Sequence, residues 1–177
     1  MGTKMAIGVT AGLVIGLVIA FALIKVANTN RRMKTEYDER QQKIRGKSYM
    51  YGFYTILFYQ VAVMILDIAE ISLPIEKYAL DFTGILLGCI VLCAHSVWNG
   101  VYWGLNNDRK RYYIIFAVAA VLNLLPIVGQ AVSGTLLQNG KIGLVMLNIM
   151  VIIMMAVIVI EMVIKNMIDK KKAEEDE

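Results

Sequence analysis

The spacing of charges constrains this chain more than any other feature. Five stretches carry none: 20 residues between Lys4 and Lys25, 19 between Lys47 and Asp67, 26 between Asp81 and Asp108, 29 between Arg111 and Lys141, and 19 between Lys141 and Glu161. A helix of about 20 residues, rising 1.5 Å per residue, crosses the ~30 Å hydrocarbon core of a bilayer. Helices of soluble cores keep a charged face, and these runs have none. They predict five transmembrane helices, over about 5–26, 50–73, 79–104, 112–132 and 142–164. The fold class is an all-α polytopic membrane bundle, one membrane domain over 1–177, placed in the cell membrane. Composition agrees: 58% of residues are hydrophobic, against roughly 45–50% in soluble domains. The same numbers exclude disorder, a collagen repeat and a disulfide scaffold.

The first apolar run is too long for the h-region of a secretory signal. Arg31, Arg32 and Lys34 follow it rather than precede it. It reads as a retained anchor. Ala6 stands where a myristoylation signal needs Ser or Thr, which argues against lipidation.

Basic residues set an orientation. Fifteen of the 18 flank the first connection, the third connection and the end of the last span, whereas Lys4, Lys77 and Lys141 stand alone at the opposite ends. Basic residues near span ends stay cytoplasmic, so the N-terminus is expected outside and the C-terminus inside. The net charge of +4 is thereby a matter of topology and gives no reason to expect nucleic acid as a partner.

Only two prolines interrupt the pattern. Pro74 reads as the terminator of the second span, and Pro126 as a kink in the fourth. Gly129, Ser133, Gly134 and Gly140 loosen that span's outer end, and the charged tail from Lys170 reads as frayed. Between the first two spans, Glu36 with Arg40 and Glu39 with Lys43 are i, i+4 pairs, acid first. Met33, Tyr37, Ile44 and Tyr51 share a stripe. These predict a charged amphipathic helix over about 31–48 running into the second span. Arg31, Arg32, Arg40 and Lys43 are its candidate docking residues, for anionic lipid or a cytoplasmic protein.

The stretch from Tyr37 to Thr55, with Asp38-Glu39-Arg40-Gln41, then Gly46-Lys47 and Tyr51-Gly52-Phe53, resembles a box in small bacterial multi-pass membrane proteins, mostly of Gram-positive type. In those the box opens a transmembrane helix. The resemblance implies a bacterial plasma membrane and a regulatory neighbourhood, and it carries over no catalytic residue.

Inside the membrane two stripes stand out. Gly8, Gly12, Gly16 and Ala20 remove side chains from one face of the first span, so that another backbone, of this chain or of a second copy, can approach. Asp81, Gly84, Gly88, Leu92, His95 and Asn99 share one face of the third. Gly8, Gly12, Gly16, Gly84 and Gly88 are therefore the candidate packing glycines. At 1.5 Å per residue, Gln60, His95 and Asn123 lie about 15, 13 and 18 Å from the cytoplasmic side of their spans. Equal depth makes them a candidate intramembrane polar cluster, with His95 expected to face the interior near Gln60 or Asn123. Asp67, Glu70 and Asp81 form a candidate outer acidic cluster: either residues marking the interface, or an entry site for a cation or proton.

Cys89 and Cys93 are i, i+4 on the third span and read as buried thiols. A metal site with His95 lacks further ligands at helical spacing, so neither metal nor cofactor is expected. No catalytic motif is present, and an enzyme is the weakest class. The favoured reading is an interaction, regulatory or accessory subunit that assembles through packed helices, as a homo-oligomer or with a membrane or cytoplasmic partner. The alternative is a small cation- or proton-linked transporter or channel subunit. A polar cavity from Asp67 to His95 would favour transport, and a dry interior would favour interaction.

Overall fold

The computed structural model describes residues 2–138 and 140–175, without the side chains of 2–6, 9, 13 and 138. Five helices carry the apolar runs: α1 (Gly2–Ala27), α2 (Glu39–Ile68), α3 (Lys77–Trp98), α4 (Arg109–Val132) and α5 (Leu144–Glu175). Each is long and apolar enough to span a membrane. A two-stranded antiparallel hairpin, β1 (Leu137–Gln138) and β2 (Lys141–Ile142), joins α4 to α5. The chain gathers into two compact units: Met1–Asp38 with Trp103–Phe116, and Glu39–Tyr102 with Ala117–Glu177.

Several element ends depart from the sequence reading, and each departure has a local cause. The amphipathic segment expected over 31–48 is helical only from Glu39, where it forms the first three turns of α2. Its earlier residues are held in irregular backbone by an asparagine network described below. At its other end α2 stops at Ile68, well before Pro74. Glu70 takes the left-handed conformation (φ 54°), and the Ile71 N–H donates to the Leu66 carbonyl. That is a glycine-type helix stop built without glycine.

α3 likewise stops at Trp98 rather than near 104. Gly100 supplies the left-handed residue (φ 69°), and the Val101 N–H donates to the Ser96 carbonyl. Asn99-Gly100 is a stop signal that the apolar run concealed. Tyr102 and Trp103, expected in the same helix, therefore lie beyond it. At the far end, the tail expected to fray stays helical to Glu175, supported by Lys165–Asp169 and Lys171–Glu175 ion pairs at i, i+4 spacing. Residues 176 and 177 of that tail lie outside the described residues. α4 continues through Pro126.

In the second unit α2 and α3 form an antiparallel hairpin. Asp67 meets Lys77 at one end, Tyr59 and Gln60 meet Leu80 and Asp81 further in, and Ser48 meets Ser96 at the other. The close approach is made by glycines. A Cβ at Gly52 would sit 2.9 Å from the Gly88 carbonyl oxygen, and one at Gly88 would sit 2.8 Å from the Gly52 carbonyl oxygen. A Cβ at Gly84 would overlap the Tyr59 ring. Without those hydrogens-only positions the two backbones could not reach this separation.

α5 packs along α3 and runs the same way. Its start is fixed where Ile142 bridges Ile75, the Glu76 N–H donates to the Ile142 carbonyl, and Tyr78 closes on Gly143. Buried Val145, Met150, Ile158 and Met162 on α5 join Ala79, Leu86 and Val97 of α3 as the core. No residue of α4 is buried.

Candidate functional site

The α2–α3 seam holds the single histidine. Its ring nitrogen Nδ1 lies 2.8 Å from the Ser48 hydroxyl, and the Ser96 hydroxyl donates to Ser48 at 3.0 Å. Ser48 can also donate back to the Ile44 carbonyl, and Ser96 to Leu92. Tyr51 presents its ring edge-on to His95 at 4.9 Å between centroids. His95 thus faces the helix seam, but its neighbours are two serines and a tyrosine, not Gln60 or Asn123.

The expected midplane cluster is not assembled. Gln60 donates its Nε2 to the Asp81 carbonyl across the seam at 2.9 Å, and Asn123 donates to Ala119 within its own helix. The error traces to the end of α3. With the helix closing at Trp98, His95 stands only one turn from its end, about 5 Å by rise, rather than at midplane. Antiparallel register then places it opposite Ser48, while Gln60 faces Asp81 three to four turns away.

The outer acidic residues also part company. Asp67 is ion-paired with Lys77 at 2.5 Å, both side chains largely exposed. Glu70 is exposed at the helix stop, and Asp81 is half-buried. An open groove of about 290 Å³ lies beside them, lined by Asp67, Glu70, Lys77 and Lys141 over Val63, Leu66 and Leu80. Neither Asp81, Gln60 nor His95 lines it. Among the described residues no group of three His, Cys, Asp or Glu side chains is placed to hold a metal ion. Cys89 and Cys93 are free thiols, half-buried.

Gly84 and Gly88 lie in the α2–α3 seam, against Tyr59 and against Ile56 and Gly52. Among the described residues, Gly8, Gly12 and Gly16 do not meet a helix inside their own unit: a Cβ at any of them would touch none of those atoms within 4 Å. Arg40 and Lys43 are exposed on the first turns of α2, in the second unit, while Arg31 and Arg32 belong to the first.

Three sets of residues lie outside the candidate sites named from the sequence. Ser48 and Gly52 on α2, spaced by four, are the small face that receives Gly88 and Ser96. That spacing is the signal, masked by the surrounding aromatics. Glu161 of α5 is half-buried, with its Oε2 shut off from solvent and unbonded.

The third set is a clasp of asparagines in the first unit. Asn28 is fully buried and Asn106 nearly so. Asn107 donates to the Asn28 side chain at 2.7 Å, and Asn28 donates to the Arg32 carbonyl at 2.7 Å. Asn106 donates to Asn30 and to the Lys34 carbonyl, and accepts from the Glu36 N–H. The clasp fixes the end of α1 to the start of α4, with the Asp108 N–H donating to the Ala27 carbonyl. Two clusters, Asn28-Thr29-Asn30 and Asn106-Asn107-Asp108, were visible as turn formers, but only their pairing gives them a role. Trp103 packs edge-on to Tyr112 and lies under Arg109.

Comparison with protein-family models, with curated proteins and with solved structures finds no match. Function therefore rests on the residues themselves.

Proposed function

We propose that this chain is a small multi-pass membrane protein whose role is to assemble with other helices in the bilayer, as an accessory or regulatory subunit, and that it carries out no catalysis. The observation that carries the reading is the contrast between its helices. α2 and α3 pack through a glycine-mediated seam and α5 packs along α3, whereas the small-residue face of α1 meets none of the described residues in its own unit. Apolar surface facing lipid is ordinary, but a backbone stripped of side chains over Gly8, Gly12 and Gly16 gains dispersion energy only against another helix. A second copy of the chain or a different membrane protein is the partner. The cytoplasmic C-terminus, the bacterial cell membrane and the regulatory setting belong to the same proposal, supported by the basic residues and the box at 38–41.

Transport has less support. Asp67 is engaged by Lys77, the outer groove ends on Val63 and Leu80, and the seam below is closed at Gly52 and Gly88. Hydrolytic chemistry has less still. Ser48 stands beside His95 as a nucleophile would, but it is 1% exposed, so no substrate carbonyl can reach it.

The test is purification of the full chain in mild detergent, with mass measurement and identification of what accompanies it. A homo-oligomer, or a stoichiometric membrane partner lost on Gly12→Leu, supports the proposal. A stable monomer with nothing bound, unaffected by Gly12→Leu, removes it.

A further inference from the structure

At the basic end of α1 the first unit holds a groove of about 300 Å³ lined by Lys25, Val26, Arg31 and Arg111. From these observations we infer that the groove is a binding site for the phosphate headgroup of an anionic phospholipid.

The three cations come from three separate stretches of chain: the last turn of α1, the turn after it, and the first turn of α4. Arg111 is held in place. Its Nη1 donates to the Val26 carbonyl at 2.9 Å, and its Nε pairs with Asp108 at 3.0 Å. A guanidinium has five N–H donors, so these two contacts leave most of them for a ligand. Among the described residues, neither Lys25 nor Arg31 has a side-chain hydrogen bond or ion pair. Asp108, the carboxylate paired with Arg111, also accepts from the N–H groups of Lys110 and Arg111.

The unit as a whole carries an excess of positive charge. Its 38 + 14-residue segments carry eight basic and three acidic side chains. The end of α1 does not absorb it, since the Ile24, Val26 and Ala27 carbonyls already accept from Asn28, Arg111 and Asp108. The asparagine clasp directly below keeps the three segments in register, so the groove is preformed rather than gathered by its ligand.

Two features favour a lipid over a free anion. The groove lies at the end of the apolar window Thr10–Ala27, where headgroups stand if α1 spans the bilayer. Above it, Ile15, Ile19 and Val26 are exposed apolar surface along which acyl chains can lie. A phosphodiester also suits the arginine fork, which matches two phosphate oxygens at once. The site rests on α1 being a membrane span, but not on the chain's assembling with others.

The test is native mass spectrometry of the full chain from mild detergent, with phosphatidylglycerol or phosphatidylcholine of matched acyl chains added. A basic side chain at an anionic membrane surface contributes about fivefold, so three predict a preference for phosphatidylglycerol on the order of 100-fold, and Lys25→Gln with Arg31→Gln lowers it to about fivefold. Melting temperature stays unchanged in that double variant, because neither side chain has a hydrogen bond or ion pair to lose among the described residues. Three results overturn the inference: no preference in the parent, an equal loss from the control pair Lys170→Gln with Lys172→Gln in the exposed tail, or displacement of the lipid by millimolar inorganic phosphate. The same spectra report copy number. A monomer that still retains phosphatidylglycerol refutes assembly while leaving this site standing.

Discussion

Replacing Gly88 with alanine tests the seam that organises the second unit. The added Cβ would lie 2.8 Å from the Gly52 carbonyl oxygen and 2.7 Å from Ile56 Cδ1. A carbon rests against a carbonyl oxygen at about 3.3–3.6 Å, so the helices must part by roughly half an ångström. Ile56 can rotate away, but the Gly52 carbonyl is backbone and cannot. Overpacking of this kind costs about 1–3 kcal/mol. The His95–Ser48 bond, now 2.8 Å, lies along the same seam, one turn from Gly52 on α2 and two from Gly88 on α3, and lengthens with it. Interhelical polar bonds in bilayers average about 0.6 kcal/mol, so the total loss should be about 2–3 kcal/mol. The assay is reversible unfolding in mixed micelles, read by tryptophan fluorescence. Gly46→Ala, on the same helix as Gly52 but with open space around it, is the control and should stabilise by about 0.5–1 kcal/mol through the usual helix preference for alanine. If Gly88→Ala behaves like Gly46→Ala, the helices do not approach as described and the account of the seam fails.

Three further outcomes follow from the same contacts. Glu70→Gly relieves a left-handed backbone and should stabilise by about 1 kcal/mol in the same assay, whereas Glu70→Val should destabilise; equal melting would show that the helix does not end there. Asn106→Ala removes three side-chain hydrogen bonds from the clasp, and the Glu36 N–H it leaves should exchange with deuterium at least tenfold faster, at a cost of about 2–3 kcal/mol; unchanged exchange would count against the clasp. Reporter fusions should place the C-terminus in the cytoplasm and the N-terminus outside; both ends on one side would mean that one of the five helices does not cross.

The helices were legible because an apolar run of spanning length has few other stable fates. Their ends were less so. Hydropathy continues smoothly through Glu70 and Gly100, and backbone conformation, not polarity, stops α2 and α3 there. One misplaced end was enough to misplace the site: extending α3 to residue 104 put His95 at midplane and drew it toward Gln60 and Asn123. Gly84 and Gly88 were recognisable as a packing face because their spacing is local to one helix. Gly52 and Ser48, their counterparts on α2, needed the register between helices. The asparagine clasp joins residues 28–30 to residues 106–107, and no local pattern encodes a pairing across some 75 residues.

The central claim, that the bare glycine face of α1 is a contact surface in the membrane, is tested most directly by oxidative cross-linking. Gly12→Cys in a Cys89→Ala, Cys93→Ala background places one thiol on that face, and Phe21→Cys in the same background, with no glycine stripe around it, serves as the control. Cross-linked in native membranes, Gly12→Cys should give a discrete species, either twice the mass of the chain or a defined adduct with another membrane protein, at a yield well above the control. Gly12→Cys that stays monomeric and reacts with lipid-soluble maleimide as fast as Phe21→Cys would contradict the claim.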